Sequence, residues 1–172
     1  NRYHFSVDDI VDAECRVRMG DRPADAGGEQ IFAQQAPQGD YGAHFSTPFI
    51  AAVALLKGRL ALADFAGDAL KDPEVLKLSA KIRREDDPNH GRPKYASGHV
   101  LVKTKDGKLY EERQHIHPGH VENPVSAADV QEKYRYNALR LVSQEKADWL
   151  LRQVMTIERL PHMSELTEQL RV

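Results

Sequence analysis

Apolar and polar positions change their period along this chain, and each change marks an element. Val11, Ala13, Cys15, Val17 and Met19 alternate with Asp12, Glu14, Arg16 and Arg18, the period of a strand with one wet face. Ser6-Val-Asp-Asp-Ile just before it is a helix-start or turn signal. The stretch 44–65 follows a different rule. Thr47 can serve as N-cap, Pro48 stands at the first helical position, the run 49–56 is apolar, and Gly58 supplies a left-handed stop. Because that helix is apolar nearly all round, it is expected to be buried. Residues 60–65 lead into a short helix closed near Gly67, and Asp72-Pro73 opens the next one by cap and N1 proline. Val75, Leu76, Leu78 and Ile82 mark the inner side of that helix.

The second half repeats these signals. Residues 80–87 fit a short strand before a polar loop, and the runs 99–104 and 109–116 flank Lys105-Asp-Gly-Lys, a strong hairpin signal. After a loop at 117–124, Ser126 and Asp129 form a capping-box variant that opens a helix to about Leu141. Ser143 begins another, with Trp149, Leu150, Val154 and Ile157 at helical spacing, and a short helix over 163–170 closes the chain. Loops are expected at 20–28, 29–33 and 36–42. The reading is α+β: a single domain over 1–172, with an antiparallel sheet of about four strands and helices packed on it.

Composition narrows the function classes. A chain of 172 residues, 41% hydrophobic and 29% charged, is long enough to bury a real core. Its formal net charge of -2 argues against nucleic acid as a partner. Lys57 and Arg59 end the longest apolar run, well short of the roughly 20 residues that cross a bilayer, so no membrane partner is expected. The first residues lack the apolar segment of a secretory leader. One cysteine, Cys15, excludes an internal disulfide and fits a reducing, cytoplasmic compartment. The chain opens on Asn1 and not Met, which leaves open a processed product, a trimmed chain or one piece of a longer polypeptide.

Few residues point to chemistry. His115, His117 and His120 have the spacing of metal ligands, but no Asp, Glu or Cys stands close enough to complete a set, and no metal is expected. His44 precedes the buried helix, so with Ser46 and Thr47 it offers a site for a carboxylate at the helix's positive end; the alternative is a histidine capping its own loop. Cys15, on an apolar strand face with no base beside it, reads as a structural thiol. Glu85-Asp86-Asp87 reads as a solvated charge run, not a catalytic dyad. There is no Gly-rich phosphate loop, Gly-x-Ser-x-Gly elbow or Cys-x-x-Cys.

The order of several segments carries a further signal. After 44–65 come Asp72-Pro-Glu-Val-Leu, Thr104-Lys-Asp-Gly-Lys-Leu, Gly119-His-Val-Glu-Asn-Pro-Val-Ser and Glu132-Lys-Tyr-Arg-Tyr-Asn-Ala. This succession, over about 7–172, resembles the C-terminal domain of the MmgE/PrpD family, which includes 2-methylcitrate dehydratase and cis-aconitate decarboxylase. The resemblance implies a cofactor-free lyase of propionate-type metabolism acting on a small polycarboxylate. A helical N-terminal domain of the same polypeptide would carry most catalytic groups, and the protein would be a homodimer. This chain would form one wall of the cleft and contribute no catalytic residue. Gly119-His120 matches the family's Gly-His step, at the cleft mouth on the functional reading and in a tight turn on the structural one. Arg22 falls nearest the place where decarboxylases present a tyrosine; an arginine would suit a polycarboxylate by bidentate pairing, and surface salt-bridging is the alternative. The substrate-binding set implied is therefore Arg22, His44, Ser46 and His120. The competing reading is a stand-alone α+β module for binding or dimerisation, without catalysis.

Overall fold

Ser6 opens the described chain as the sequence suggests: its hydroxyl accepts the Asp8 N–H, Asp9 returns the bond to the Ser6 N–H, and a single 3-10 turn delivers strand β1 (Ile10–Val17). The computed structural model describes residues 5–17, 29–87 and 98–170. The described residues fall into two compact units, Asn1–His117 and Pro118–Val172.

In the first unit the remaining strands are β2 (Ile82–Asp86), β3 (Gly98–Thr104) and β4 (Leu109–Gln114). Their order in the sheet is β2-β1-β3-β4. The α+β class and the four strands are as expected, with one difference: β1 and β2 run parallel, while β1–β3 and β3–β4 are antiparallel. A parallel neighbour needs a long crossover, and here the chain passes through helices before returning. These are α1 (Glu29–Ala33), α2 (Asp40–Phe45), α3 (Thr47–Lys57) and α4 (Pro73–Ser79). The segment 29–33, expected as a loop, is thus a short helix, and α2 takes up residues 40–42 of the loop expected at 36–42.

The strand alternation needs a correction at its start. The β1–β3 register shifts between Ile10 and Asp12, so Ile10 is fully buried while Val11 is 50% exposed. Such a bulge places two residues against one and turns the next side chain to the other face. Beyond it Ala13 and Cys15 point inward as the sequence predicts. Burial raises the Cys15 thiol pKa to about 11, consistent with a structural role.

Helix α3 is the centre of the packing. Its N-cap is Ser46 and not Thr47: the Ser46 hydroxyl accepts the Phe49 N–H at 3.1 Å. Gly58 ends it at φ 70°, the left-handed conformation for which glycine carries no Cβ penalty. Phe49, Ala52 and Val53 are buried against α4 and against β1 and β2. Two hydroxyls staple the preceding segment down. Ser46 donates to the Gln34 carbonyl, and Ser79 donates to the Gln35 carbonyl at 2.7 Å. The Gln35 amide in turn bonds the carbonyls of Ala80 and Ile82 at 3.1 and 3.0 Å. These bonds fix α1 and α2 against the end of β2.

The second unit holds α5 (Ala127–Ala138), α6 (Gln144–Met155) and α7 (Met163–Gln169). Ser126 and Asp129 form a full capping box, and Ser143 caps α6. The Tyr134 hydroxyl donates to the Ala147 carbonyl at 3.0 Å and Arg135 pairs with Asp148 at 3.2 Å, holding α5 beside α6. No helix among the described residues is long and apolar enough to cross a membrane.

Candidate functional site

His44 occupies the last turn of α2, exposed, with its ring stacked on Phe65 at 4.3 Å and 22°. Its Nδ1 lies 2.7 Å from the Asp40 carbonyl. A carbonyl only accepts, so Nδ1 carries the proton and Nε2 is left as the basic nitrogen of the neutral ring. What holds Phe65 under the imidazole is its neighbour Asp64. That carboxylate accepts the Ala61 N–H at 2.8 Å and pairs with the Lys57 ammonium at 2.6 Å. Burial of Asp64 pushes its pKa up, but the Lys57 ammonium and the Ala61 N–H outweigh this and leave it below the usual carboxylate range. The far end of α3 therefore fixes the support of a histidine that lies just before the start of the same helix.

An aromatic shelf continues from this point. Phe45 meets Tyr41 at 4.9 Å and Phe32 edge-on at 5.6 Å, while the Arg84 guanidinium lies 5.1 Å above Phe32. Phe45 is 38% exposed and Phe5, Ile31 and Phe32 are only partly buried, so these residues do not close into one core.

The expected anion site beside His44 is differently equipped from its sequence reading. Ser46 is fully buried and its hydroxyl serves the Phe49 N–H and the Gln34 carbonyl. Pro48 has no N–H, and the Ile50 N–H donates to the Ser46 carbonyl at 3.0 Å. Of the first four backbone positions of α3, only that of Thr47 is left to offer a donor. Arg22 lies outside the described residues. His120 sits in the second unit, in a turn that begins with Gly119 at φ 95°. Its Nδ1 accepts the Glu122 N–H at 3.1 Å, and its carbonyl accepts the Asn123 N–H at 2.9 Å. Gly119 donates to the Asn123 carbonyl at 2.8 Å. Among the described residues no group of three or more His, Cys, Asp or Glu is arranged to hold a metal ion.

A second polar cluster was not singled out from the sequence. At the end of the sheet Asp87 is 2% exposed and His99 3%, so Asp87 is not part of a solvated run, although Glu85 and Asp86 are exposed. The Arg113 guanidinium lies 3.1 Å from an Asp87 oxygen and 2.9 Å from His99 Nδ1. A guanidinium has no acceptor, so Nδ1 accepts, and Nε2–H donates to Glu111 at 2.7 Å. His99 is thus held as the tautomer opposite to that of His44. The only sequence signal for this cluster is the hairpin register that sets His99 opposite Arg113.

Residues 2–157 match the MmgE/PrpD C-terminal domain. The chain belongs to this family. It is similar to cis-aconitate decarboxylase of Mus musculus, 27% identical over 137 residues, and to that of Homo sapiens, 28% identical over 137 residues. In each case the match takes in 78% of this chain but 28% of the relative, so the MmgE/PrpD domain seen here spans little more than a quarter of the length of these relatives.

Proposed function

We propose that this MmgE/PrpD domain forms one wall of the active-site cleft of a lyase that acts on a small polycarboxylate without a cofactor. The helical N-terminal domain of the same polypeptide supplies the groups that move protons. The observation that carries this reading is the family match over 2–157, joined to the similarity to cis-aconitate decarboxylases. The reaction class is removal of carbon dioxide or water next to a carboxylate, with proton transfer at the adjacent carbon. On this reading His44 faces the substrate, since its ring is exposed, braced on Phe65 and restricted to one tautomer. Ser46 acts through position by fixing the junction of α2 and α3. Arg22 is the proposed partner of a substrate carboxylate, and His120 is a proposed substrate contact from its own unit. The same reading makes the full-length protein a cytoplasmic homodimer of propionate-type metabolism, with support from the family membership and from a single buried thiol.

The test uses the full-length polypeptide and the 172-residue chain side by side, with cis-aconitate and 2-methylcitrate as probes and product detected by NMR. Turnover of one probe is expected from the full-length protein and none from the chain alone. His44→Ala in the full-length protein is expected to raise KM about tenfold or more, in line with the 1.5–3 kcal/mol typical of a hydrogen bond to a charged group. Turnover by the isolated chain contradicts the cleft-wall reading. Inactivity of the full-length protein on both probes contradicts the lyase reading in favour of a binding or dimerisation module.

A further inference from the structure

The helices cover the sheet unevenly. Helix α3 packs on β1 and β2, and on the β3–β4 side a groove of about 330 Å³ opens between helix and sheet. Ala51, Ala54 and Leu55 form one wall, and Val100, Val102 and Tyr110 form the other. Phe5 lines the same groove, its ring 4.7 Å from that of Tyr110. Glu111 and Glu112 are the charged residues among the described lining.

We propose that this groove seats an amphipathic helix supplied by polypeptide upstream of Phe5, with an apolar stripe in the trough and a Lys or Arg beside it facing Glu112. The proposal rests on the reading of the chain as one part of a longer polypeptide. Four observations favour this occupant. A small-molecule site carries a few converging polar groups to orient its ligand, and these walls are hydrocarbon and aromatic. Ala51 and Ala54 are small and one turn apart, which lets a second helix approach α3 closely. The groove is lined by Phe5, at the end of the described chain where an upstream segment joins it, and the family match is to a C-terminal domain whose relatives are more than three times as long as the matched stretch. Glu112, exposed and opposite Val100 in the hairpin register, favours a cationic flank on the incoming helix. Recognition of this kind is read by apolar anchors at i, i+3, i+4 and i+7.

Hydrogen exchange on two lengths of the natural polypeptide tests the idea: the 172-residue chain, and the same chain extended upstream by about 25 residues, enough for one helix of average length and its connection. Amides of Val100, Val102 and Tyr110 are expected to exchange at least about tenfold more slowly in the longer form, the equivalent of about 1.4 kcal/mol. Ala54→Glu places a charge in the trough and removes the slowing. Glu112→Lys, at an exposed position, keeps the fold and weakens the slowing by about threefold or more, an effect that shrinks in high salt. Equal exchange in the two lengths overturns the proposal, as does slowing that survives both substitutions. Concentration-dependent slowing in the short chain also overturns it, by making a second copy the occupant. None of these readouts is turnover. Protection without lyase activity refutes the functional reading alone, and activity with an unprotected groove refutes this one alone.

Discussion

The two units of this chain bury their apolar residues to very different extents. In the first, Ile10, Phe49, Val53, Val75 and Ile82 are each no more than 1% exposed, and they belong to one continuous cluster drawn from three helices and strands far apart in sequence. In the second, Ala147, Leu150 and Leu166 are the buried hydrophobics among the described residues, while Val121 is 86% and Leu141 72% exposed. Val154, Met155 and Met163 are also more than half exposed. A sheet with helices across it can shelter residues from several directions, whereas a short helical unit has little interior to offer. The difference teaches where order comes from. Long-range pairing dominates the first unit. Caps, helix propensity and a few contacts dominate the second, as its capping box at Ser126 and cap at Ser143 illustrate.

The sharpest way to break that contrast is a pair of truncations. Phe49→Ala is expected to cost about 3–5 kcal/mol and to unfold the first unit, whereas Leu150→Ala is expected to cost about 2–3 kcal/mol. Urea unfolding followed by hydrogen exchange should show the β3 amides exposed by the first change and still protected after the second. Equal effects on those amides would erase the distinction.

A pH experiment addresses the first unit alone. Cys15 has its pKa raised from 9.0 to about 11 by burial, so the folded state keeps a proton that the unfolded state loses. The associated stability is complete below pH 9 and is lost as pH rises toward 11, a decline of about 2–3 kcal/mol. Thermal unfolding at pH 8 and at pH 11 should reveal it as a drop that Cys15→Ala lacks. Alkylation of the thiol at pH 8 should be slow until the protein unfolds.

Smaller effects refine the comparison. Ser46→Ala removes a cap and leaves the Gln34 carbonyl without its donor, an expected loss of about 1–2 kcal/mol in the first unit. Tyr134→Phe removes the bond to the Ala147 carbonyl and is expected to cost about 1 kcal/mol in the second. Denaturant midpoints with unchanged slopes would identify both as simple losses of stability.

The candidate site was only partly legible beforehand. His44 could be picked out because it sits beside a helix start marked in the sequence by Thr47 and Pro48. Its bracing by Phe65 could not, because that contact depends on how Lys57 and Asp64 close the turn after α3. His99 escaped notice and Asp87 reads from the sequence as part of a solvated run, because the partners that bury them are distant in sequence. Asp87 reaches His99 because β2 and β3 both flank β1, and Arg113 joins them through the β3–β4 hairpin, whose turn holds Gly107 at φ 81°. A two-residue loop would have set His99 opposite Gln114 and left Arg113 on the other face.

By itself, the sequence determined the α+β class, the helices that begin at the caps Asp72, Ser126 and Ser143, the hairpin at Asp106-Gly107 and the structural nature of Cys15. Each of these depends on residues within about one helical turn or one strand repeat of one another. Tertiary structure alone decided the parallel pairing of β1 with β2, the reversal at Val11, the burial of Asp87 and the apolar groove beside Tyr110. These are properties of neighbours brought together from distant parts of the chain. Local pattern constrains which face a residue prefers, but packing between segments fixes what that face meets.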